Sequence, residues 1–357
     1  MVWVERLRVR DLRNIREASL ELGPGLNVFA GKNGQGKTSL LEAVGLLARG
    51  RSFRTEDTAS MIRRGAPSLL AAAAAQDERE AALEVELQPG RRAFRVNGRE
   101  VRPGEYHGRL DVVVYSSERL RVVYGSMRER RLFLDRQAGA LWPSYRAELR
   151  QFERVLQQRN AALETRARDL EAWSERFVAL GARLRKRRAE YAERLTRTLA
   201  AGFRPAQERY RVALEPAPQG EAAAAQALAD ELRQLAARER AAGRSLAGPQ
   251  RDKVALLIDG QDAGESASSG QARSLLLALA LASLALLREE TGRAAVALLD
   301  DLDSELDEER AGALCAEVAR RGQAWVTTAH TGWAESLRPL GRVYEVAGGA
   351  VRCAPTA

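Results

Sequence analysis

The sequence predicts an α/β fold: one sheet domain, interrupted along the chain by an inserted helical, coiled-coil-like domain. Three observations carry that expectation. Apolar residues up to about 125 and from about 246 onward recur with the period of two, or in the short continuous runs, of strands. Between them the period changes to threes, fours and sevens, as in helices packed along a seam. Charge changes at the same places. Residues 126–245 hold 25 Arg plus Lys against 16 Asp plus Glu, the remainder balances at 32 against 32, and so the whole net charge of +9 belongs to the middle. Residues 1–125 and 246–357 are expected to form one discontinuous domain, and 126–245 a basic helical insertion.

Taken in order, Val4 to Val9 and Ala18 to Leu22 alternate, Leu26 to Ala30 is continuously apolar, and Thr38 to Ala48 has helical spacing. The runs "ALEVEL" and "AFRVNGREV" alternate around Pro89-Gly90 and Asn97-Gly98, which predicts a meander of antiparallel hairpins. "LDVVVYS", from Leu110 to Ser116, reads as a strand buried on both faces. In the middle, Phe152, Leu156, Leu163, Leu170, Trp173, Phe177, Leu180, Leu184, Tyr191 and Leu195 form the helical stripe. No proline lies between Pro143 and Pro205, and the reversal is placed at Glu164 to Asp169. "EPAPQGEAAAAQ" breaks the chain before an alanine-rich helix that ends near Gly243. Strand patterns return at Val254 to Gly260, at Ala294 to Asp300 after a helix from Gly270, and in "AWVTTAH" and "RVYEVAGG".

Composition excludes several classes. Cys315 and Cys353 lie far apart without a CxxC, which argues against a disulfide framework or a zinc site and suits a reducing, cytoplasmic setting. The N-terminus "MVWVERLRVRDLRN" alternates where a signal peptide would be continuously apolar. The longest apolar run, Ser274 to Leu287, is shorter than the roughly 20 residues that span a bilayer, so it is expected to be a buried helix and no membrane partner is expected.

The loop "GKNGQGKT" comprises Gly31, Lys32, Asn33, Gly34, Gln35, Gly36, Lys37 and Thr38, and matches G-x-x-x-x-G-K-[ST] between a strand and a helix. Glycines there let backbone N–H groups turn toward phosphate oxygens, the helix start adds its positive dipole end, Lys37 reaches the terminal phosphates of ATP, and the Thr38 hydroxyl ligates Mg²⁺. Only four lysines stand against 53 arginines in this chain, and two of the four are in this loop. A compact ammonium fits such a cradle where a planar guanidinium would not. The run "AVALLDDLDSELD" ends a strand in Asp300 and Asp301. In a P-loop ATPase the first would hold Mg²⁺ and the second would act as the base that orients the attacking water. A third element, "SASSGQARSLLLALALA", opens a helix with Ser268, Ser269, Gly270 and Gln271, a good N-cap and a candidate anion site.

These pieces together resemble the RecF family of SMC-like recombination mediators. The resemblance covers nearly the whole chain, including "LRVRDLRNIREASLELGPGLNVFAGKNGQGKTSLLEAV", "GRSFRT", "RRLFLDR", "QQRNAAL", "GPQRD" and "LLDDLDSELDEER". It implies an SMC/ABC-type P-loop ATPase head with weak, DNA-stimulated hydrolysis. Two protomers would face each other with ATP bound, so that Ser268, Gly270 and Gln271 of one meet the γ-phosphate held by the other. It further implies sequence-independent binding of double-stranded and gapped DNA, a RecR-type mediator as partner, and help in loading the recombinase onto gaps. The chain departs from the family's "GPHRDD" by having Gln250 for histidine and Lys253 for the second aspartate, and it has Ser117 where the family has a proline. His330 lies where an ABC-type switch histidine would approach the γ-phosphate, or caps a strand end. The basic run "RLRKRR" supplies Arg183, Arg185, Lys186, Arg187 and Arg188 as DNA phosphate contacts or, on the blander reading, a solvated helix face. The alternatives are an ABC transporter ATPase subunit, against which the long basic middle speaks, and another SMC-like repair ATPase.

Overall fold

A computed structural model describes residues 3–55, 57–76, 81–202, 207–217, 219–302 and 308–354. The chain divides into two compact units, Met1–Arg119 with Ser283–Ala357, and Leu120–Ala282.

The first unit contains two six-stranded sheets. One is antiparallel, in the order Ile15–Glu21, Trp3–Leu12, Leu69–Gln76, Ala81–Gln88, Arg91–Val96 and Arg99–Glu100. The expected hairpins are there, and their strands alternate buried residues with half-buried or exposed ones because one face packs on the core. In the other sheet Leu26–Ala30 lies between Gly341–Ala347 and Ala324–Thr328, followed outward by Val296–Leu299 and Val112–Tyr115, all parallel, with Ala350–Cys353 antiparallel at the far edge. The three strands at its centre and flank, Leu26–Ala30, Ala324–Thr328 and Val296–Leu299, are buried at every position, which explains their continuous apolar runs. Helix Lys37–Arg49 buries eleven of its thirteen residues, including Leu40, Leu41, Val44 and Leu47. That burial anchors the helix that follows the loop.

The second unit consists of helices Met127–Leu141, Pro143–Thr165, Leu170–Ala201 and Glu221–Ala242 with a three-stranded antiparallel sheet of Tyr210–Glu215, Lys253–Ile258 and Gln261–Asp262. The reversal falls at 166–169, inside the expected interval, with Arg166 at φ 53° closing the first helix. Of the expected stripe, Phe152, Leu163, Phe177, Leu184, Tyr191 and Leu195 are buried, and Val155, Arg159 and Ala162 complete the packed face. The division between units falls at 119/120 and 282/283, not at 125/126 and 245/246. The reason is the strand read at Val254 to Gly260, which pairs along its length with Tyr210–Glu215, a short strand hidden between helical stretches. The redrawn unit still carries the charge surplus, with 29 basic side chains against 20 acidic ones.

Helix Ser269–Thr291 is, by length and composition, able to cross a membrane, but 67% of its apolar window is buried inside the protein. Leu275, Leu277 and Leu279 are at most 1% exposed, as a core helix requires.

Candidate nucleotide-binding site

The loop Gly31–Gly36 leaves the C-terminal end of a strand at the centre of the parallel sheet, where the N–H groups of a following helix face a ligand. Two glycines are demanded there by geometry. A Cβ on Gly31 would lie 2.2 Å from the Val346 carbonyl oxygen, and Gly36 has φ +113° with the Asn14 amide oxygen 3.1 Å from where its Cβ would be. Neighbouring segments brace the loop: Asn14 Nδ2 donates to the Gly34 carbonyl at 3.1 Å, and the Gly348 N–H donates to Gln35 Oε1 at 2.6 Å. The Lys37 side chain is 4% exposed and folds over the loop, donating from Nζ to the carbonyls of Gly31 at 2.6 Å and Lys32 at 3.1 Å, with Asn33 Oδ1 at 3.5 Å. The ammonium therefore already sits at the mouth of the backbone cradle.

Asp300 follows strand Val296–Leu299, one strand removed from the loop's own, and 262 residues from Thr38 in sequence. Thr38 Oγ1 nonetheless donates to Asp300 Oδ1 at 2.9 Å, and Thr327 Oγ1 donates to the same oxygen at 2.7 Å. Burial pushes the Asp300 carboxyl up to about 6; the Thr327 and Thr38 hydroxyls oppose this, and the neighbouring Asp301 charge adds to it. A buried carboxylate with a hydroxyl beside it and a second carboxylate next in sequence is the donor set of a hard divalent cation, whose charge would reverse that upward push. Asp301 takes a left-handed backbone, φ 49°, anchored by its N–H to Thr327 Oγ1 at 2.9 Å. The remaining acidic residues of that motif, Asp303, Glu305 and Asp307, lie outside the described residues.

His330 stands two residues beyond strand Ala324–Thr328, whose end bonds to the loop through the Gly31 N–H and the Thr328 carbonyl, 3.2 Å. Its imidazole is exposed and its backbone N–H donates to Thr328 Oγ1 at 2.9 Å. In the second unit, Ser268 and Gln271 form a reciprocal cap at the start of helix Ser269–Thr291: the Ser268 N–H donates to Gln271 Oε1 at 2.9 Å and the Gln271 N–H to Ser268 Oγ at 3.2 Å. Ser268, Ser269 and Gly270 are exposed.

Pattern reading did not single out Arg13 and Glu42. Glu42 is fully buried on the loop's helix and receives two guanidinium bonds from Arg13, each 2.8 Å, and the Ser52 hydroxyl. Arg54 lies 3.9 Å from the same carboxylate, and its charge also acts on Asp300. A glutamate among leucines in a buried helix was the only available signal. Thr327 was likewise missed, as a polar residue in an otherwise apolar strand.

The basic run needs correction. Arg185 and Arg188 are turned into the second unit, 2% and 3% exposed, and do not present their charge to a phosphate. Arg185 bonds Asp252 Oδ1 at 2.9 Å and Glu231 at 2.9 and 3.0 Å. Arg188 makes a bidentate bond to Asp135 at 2.8 and 2.9 Å and donates to the Pro249 carbonyl at 2.6 Å. Burial of a helix face selects arginines with carboxylate partners there, whatever the net charge of the segment. Arg183, Lys186 and Arg187 remain outside; Arg183 lies 3.2 Å from Glu221, and Arg187 also stacks 5.1 Å from the Trp142 ring.

Compared with known proteins, residues 3–352 match the family model described as RecF/RecN/SMC N terminal domain. A curated relative from Anaeromyxobacter sp. (strain Fw109-5), named DNA replication and repair protein RecF, is 36% identical over 361 residues, 97% of this chain and 97% of its own. A protein of the same name from Listeria monocytogenes serotype 4b is 33% identical over 345 residues, covering 92% and 93%. Among solved structures, the chain is similar to the recombination mediator protein RecF-ATP in the RecFOR pathway, with TM-score 0.89, 26% identity and 99% of each chain covered. It shares the fold of the Smc head domain of Pyrococcus furiosus, with TM-score 0.59, 16% identity, and 100% and 97% of the chains covered.

Proposed function

This chain belongs to the RecF family of DNA replication and repair proteins, and from that premise we propose that it is an ATP-dependent DNA-binding recombination mediator of gap repair. ATP binding joins two protomers head to head, and weak, DNA-stimulated hydrolysis releases them. The observation that carries this reading is the convergence of Lys37, Thr38 and Asp300, from segments far apart in sequence, at the ends of two parallel strands separated by a single strand, Ala324–Thr328.

Each residue has a distinct task. The loop N–H groups and the Lys37 ammonium bind the phosphates of ATP, and Thr38 with Asp300 would hold Mg²⁺, which would supply positive charge against that developing on the transferred phosphoryl group. Asp301, held by its own backbone bond to Thr327, takes the proton of the attacking water. The exposed start of helix Ser269–Thr291, with Ser268 and Gln271 pre-ordered by their mutual cap, offers hydroxyl and N–H donors to a γ-phosphate presented by a second protomer. The γ-phosphate thus becomes the link between two copies, and its loss ends the association. His330 is proposed to sense the same phosphate from the end of the neighbouring strand. The basic second unit binds DNA through its backbone without reading sequence. A RecR-type mediator is the expected partner and the cytoplasm the expected setting.

Sedimentation velocity of the full chain with Mg²⁺ and ATP, with ADP, and without nucleotide, each with and without duplex DNA, tests this. ATP alone among the nucleotides should produce a dimer. A monomer under every condition, or a dimer indifferent to nucleotide, rejects the switch.

A further inference from the structure

With Arg185 and Arg188 buried, the second unit's positive face must be sought elsewhere, and one cavity in it stands apart. It measures about 400 Å³ and is lined by Arg131, Arg244, Arg251, Asn160, Ser245 and Gln250, with Met127 and Leu156 supplying its apolar sides; no carboxylate lines it among the described residues. Met127 and Arg131 are one turn apart on helix Met127–Leu141, and Leu156 and Asn160 one turn apart on helix Pro143–Thr165, so each helix presents an apolar and a polar group to the same space. The loop that closes it is fixed. Asn160 Oδ1 accepts from the Ser245 N–H and hydroxyl, each at 2.8 Å, and Ser245 Oγ also receives Arg159 Nη1 at 2.7 Å.

Several donors line it. Asn160 uses its oxygen on Ser245, which leaves its NH₂ for another acceptor. Arg131 commits Nη1 to the Asp252 carbonyl at 2.8 Å. Arg244 and Arg251 are exposed residues at its rim and make no ion pair among the described residues. Burial and the nearby Arg188 charge pull the Arg131 pKa below its ordinary value, and Arg251 adds to that repulsion despite Asp252 and Asp135. An anion would relieve this crowding of like charge.

We propose that this cavity is a phosphate-binding pocket, in which the guanidinium groups of Arg131, Arg244 and Arg251 and the Asn160 amide hold one phosphate group. That group comes either from a nucleic-acid backbone, which rests on the DNA-binding reading above, or from a free phosphate compound. Three arginines suit phosphate because each offers paired donors in a plane. The pocket differs from the nucleotide loop in using side chains instead of backbone N–H groups, and it lies wholly within the second unit.

The test uses the full chain and the double variant Arg244→Gln/Arg251→Gln, which removes two charges with no ion-pair partner, so melting followed by circular dichroism should match the parent. Binding of a labelled duplex is measured by fluorescence anisotropy over a series of KCl concentrations, with ATP and Mg²⁺. Loss of one backbone phosphate contact flattens the slope of log K against log[salt] by about 0.9. Arg244→Lys/Arg251→Lys, which keeps the charge, should restore most of the slope, and this separates a charge effect from damage to the fold. In parallel, inorganic phosphate and AMP are titrated calorimetrically into Lys37→Ala protein, with and without the double Gln change. A flattened duplex slope assigns the pocket to nucleic acid. Saturable phosphate or AMP binding that the Gln pair abolishes, with the duplex slope intact, assigns it to a free phosphate compound. If neither the slope nor small-anion binding responds, the pocket is refuted while DNA binding by the parent stands. If the parent binds no duplex at all, the DNA-binding reading fails and the calorimetric arm alone decides the pocket.

Discussion

Arg188→Leu should cost stability before it costs anything else. The side chain is 3% exposed and makes four contacts: two bonds to Asp135 at 2.8 and 2.9 Å, one to the Pro249 carbonyl at 2.6 Å, and an ion pair with Asp252 at 3.5 Å. Leucine fills much of the space but leaves the buried Asp135 and Asp252 carboxylates short of a cation. Breaking a buried pair by removing one partner costs about 3–5 kcal/mol. Arg183→Gln/Lys186→Gln, which alters side chains 55% and 41% exposed, should change stability by no more than about 1 kcal/mol. Urea denaturation followed by tryptophan fluorescence compares the three proteins. The effect should depend on pH with a definite sign. Burial already raises the Asp252 pKa against the opposing charges of Arg185 and Arg188, and losing Arg188 raises it further. The folded variant then takes up a proton that the unfolded chain takes up only at lower pH, so the deficit relative to the parent should shrink as pH falls toward the unfolded carboxylate value. An Arg188→Leu protein as stable as the parent at pH 7 would refute the buried-network reading, most of all if it had lost DNA affinity instead.

Three further outcomes are expected. Lys37→Ala should lose ATP binding, measured with a fluorescent nucleotide analogue, while keeping its melting temperature; undiminished binding would remove the loop from the mechanism. Asp301→Asn should bind ATP and accumulate as dimer while hydrolysing far more slowly, because asparagine tolerates the left-handed backbone at φ 49° but its amide accepts no proton from water; normal phosphate release in a coupled assay would contradict its assigned role. Ser268→Arg should retain ATP binding as a monomer yet fail to dimerise, and mixing it with Lys37→Ala should restore at most one of two composite sites, so full recovery of turnover would exclude a site shared between protomers.

The loop Gly31–Thr38 was legible because everything that defines it is local: two glycines whose backbone or surroundings admit no side chain, a lysine in a chain nearly without them, and a strand and a helix on either side. The hairpins of the antiparallel sheet were legible for the same reason, since alternation and turn residues act within a few positions. Asp300 could be named as a strand-end carboxylate, but its approach to Thr38 depends on strand order, with Ala324–Thr328 lying between the two strands and supplying Thr327 as the shared partner. The arginine run marks the limit. Composition established by itself that the middle of the chain is basic, and that surplus survives in the structural unit. Which arginines face water is decided by where Leu170–Ala201 packs: Arg185 and Arg188, one turn apart, meet Asp252, Glu231 and Asp135 from other elements, while Arg183, Lys186 and Arg187 rotate outward. A helix places charges by rotation of about 100° per residue, and only its neighbours set the zero of that rotation. The same packing brings Arg131, Arg244 and Arg251, separated by up to 120 positions, to one cavity that no local pattern could announce.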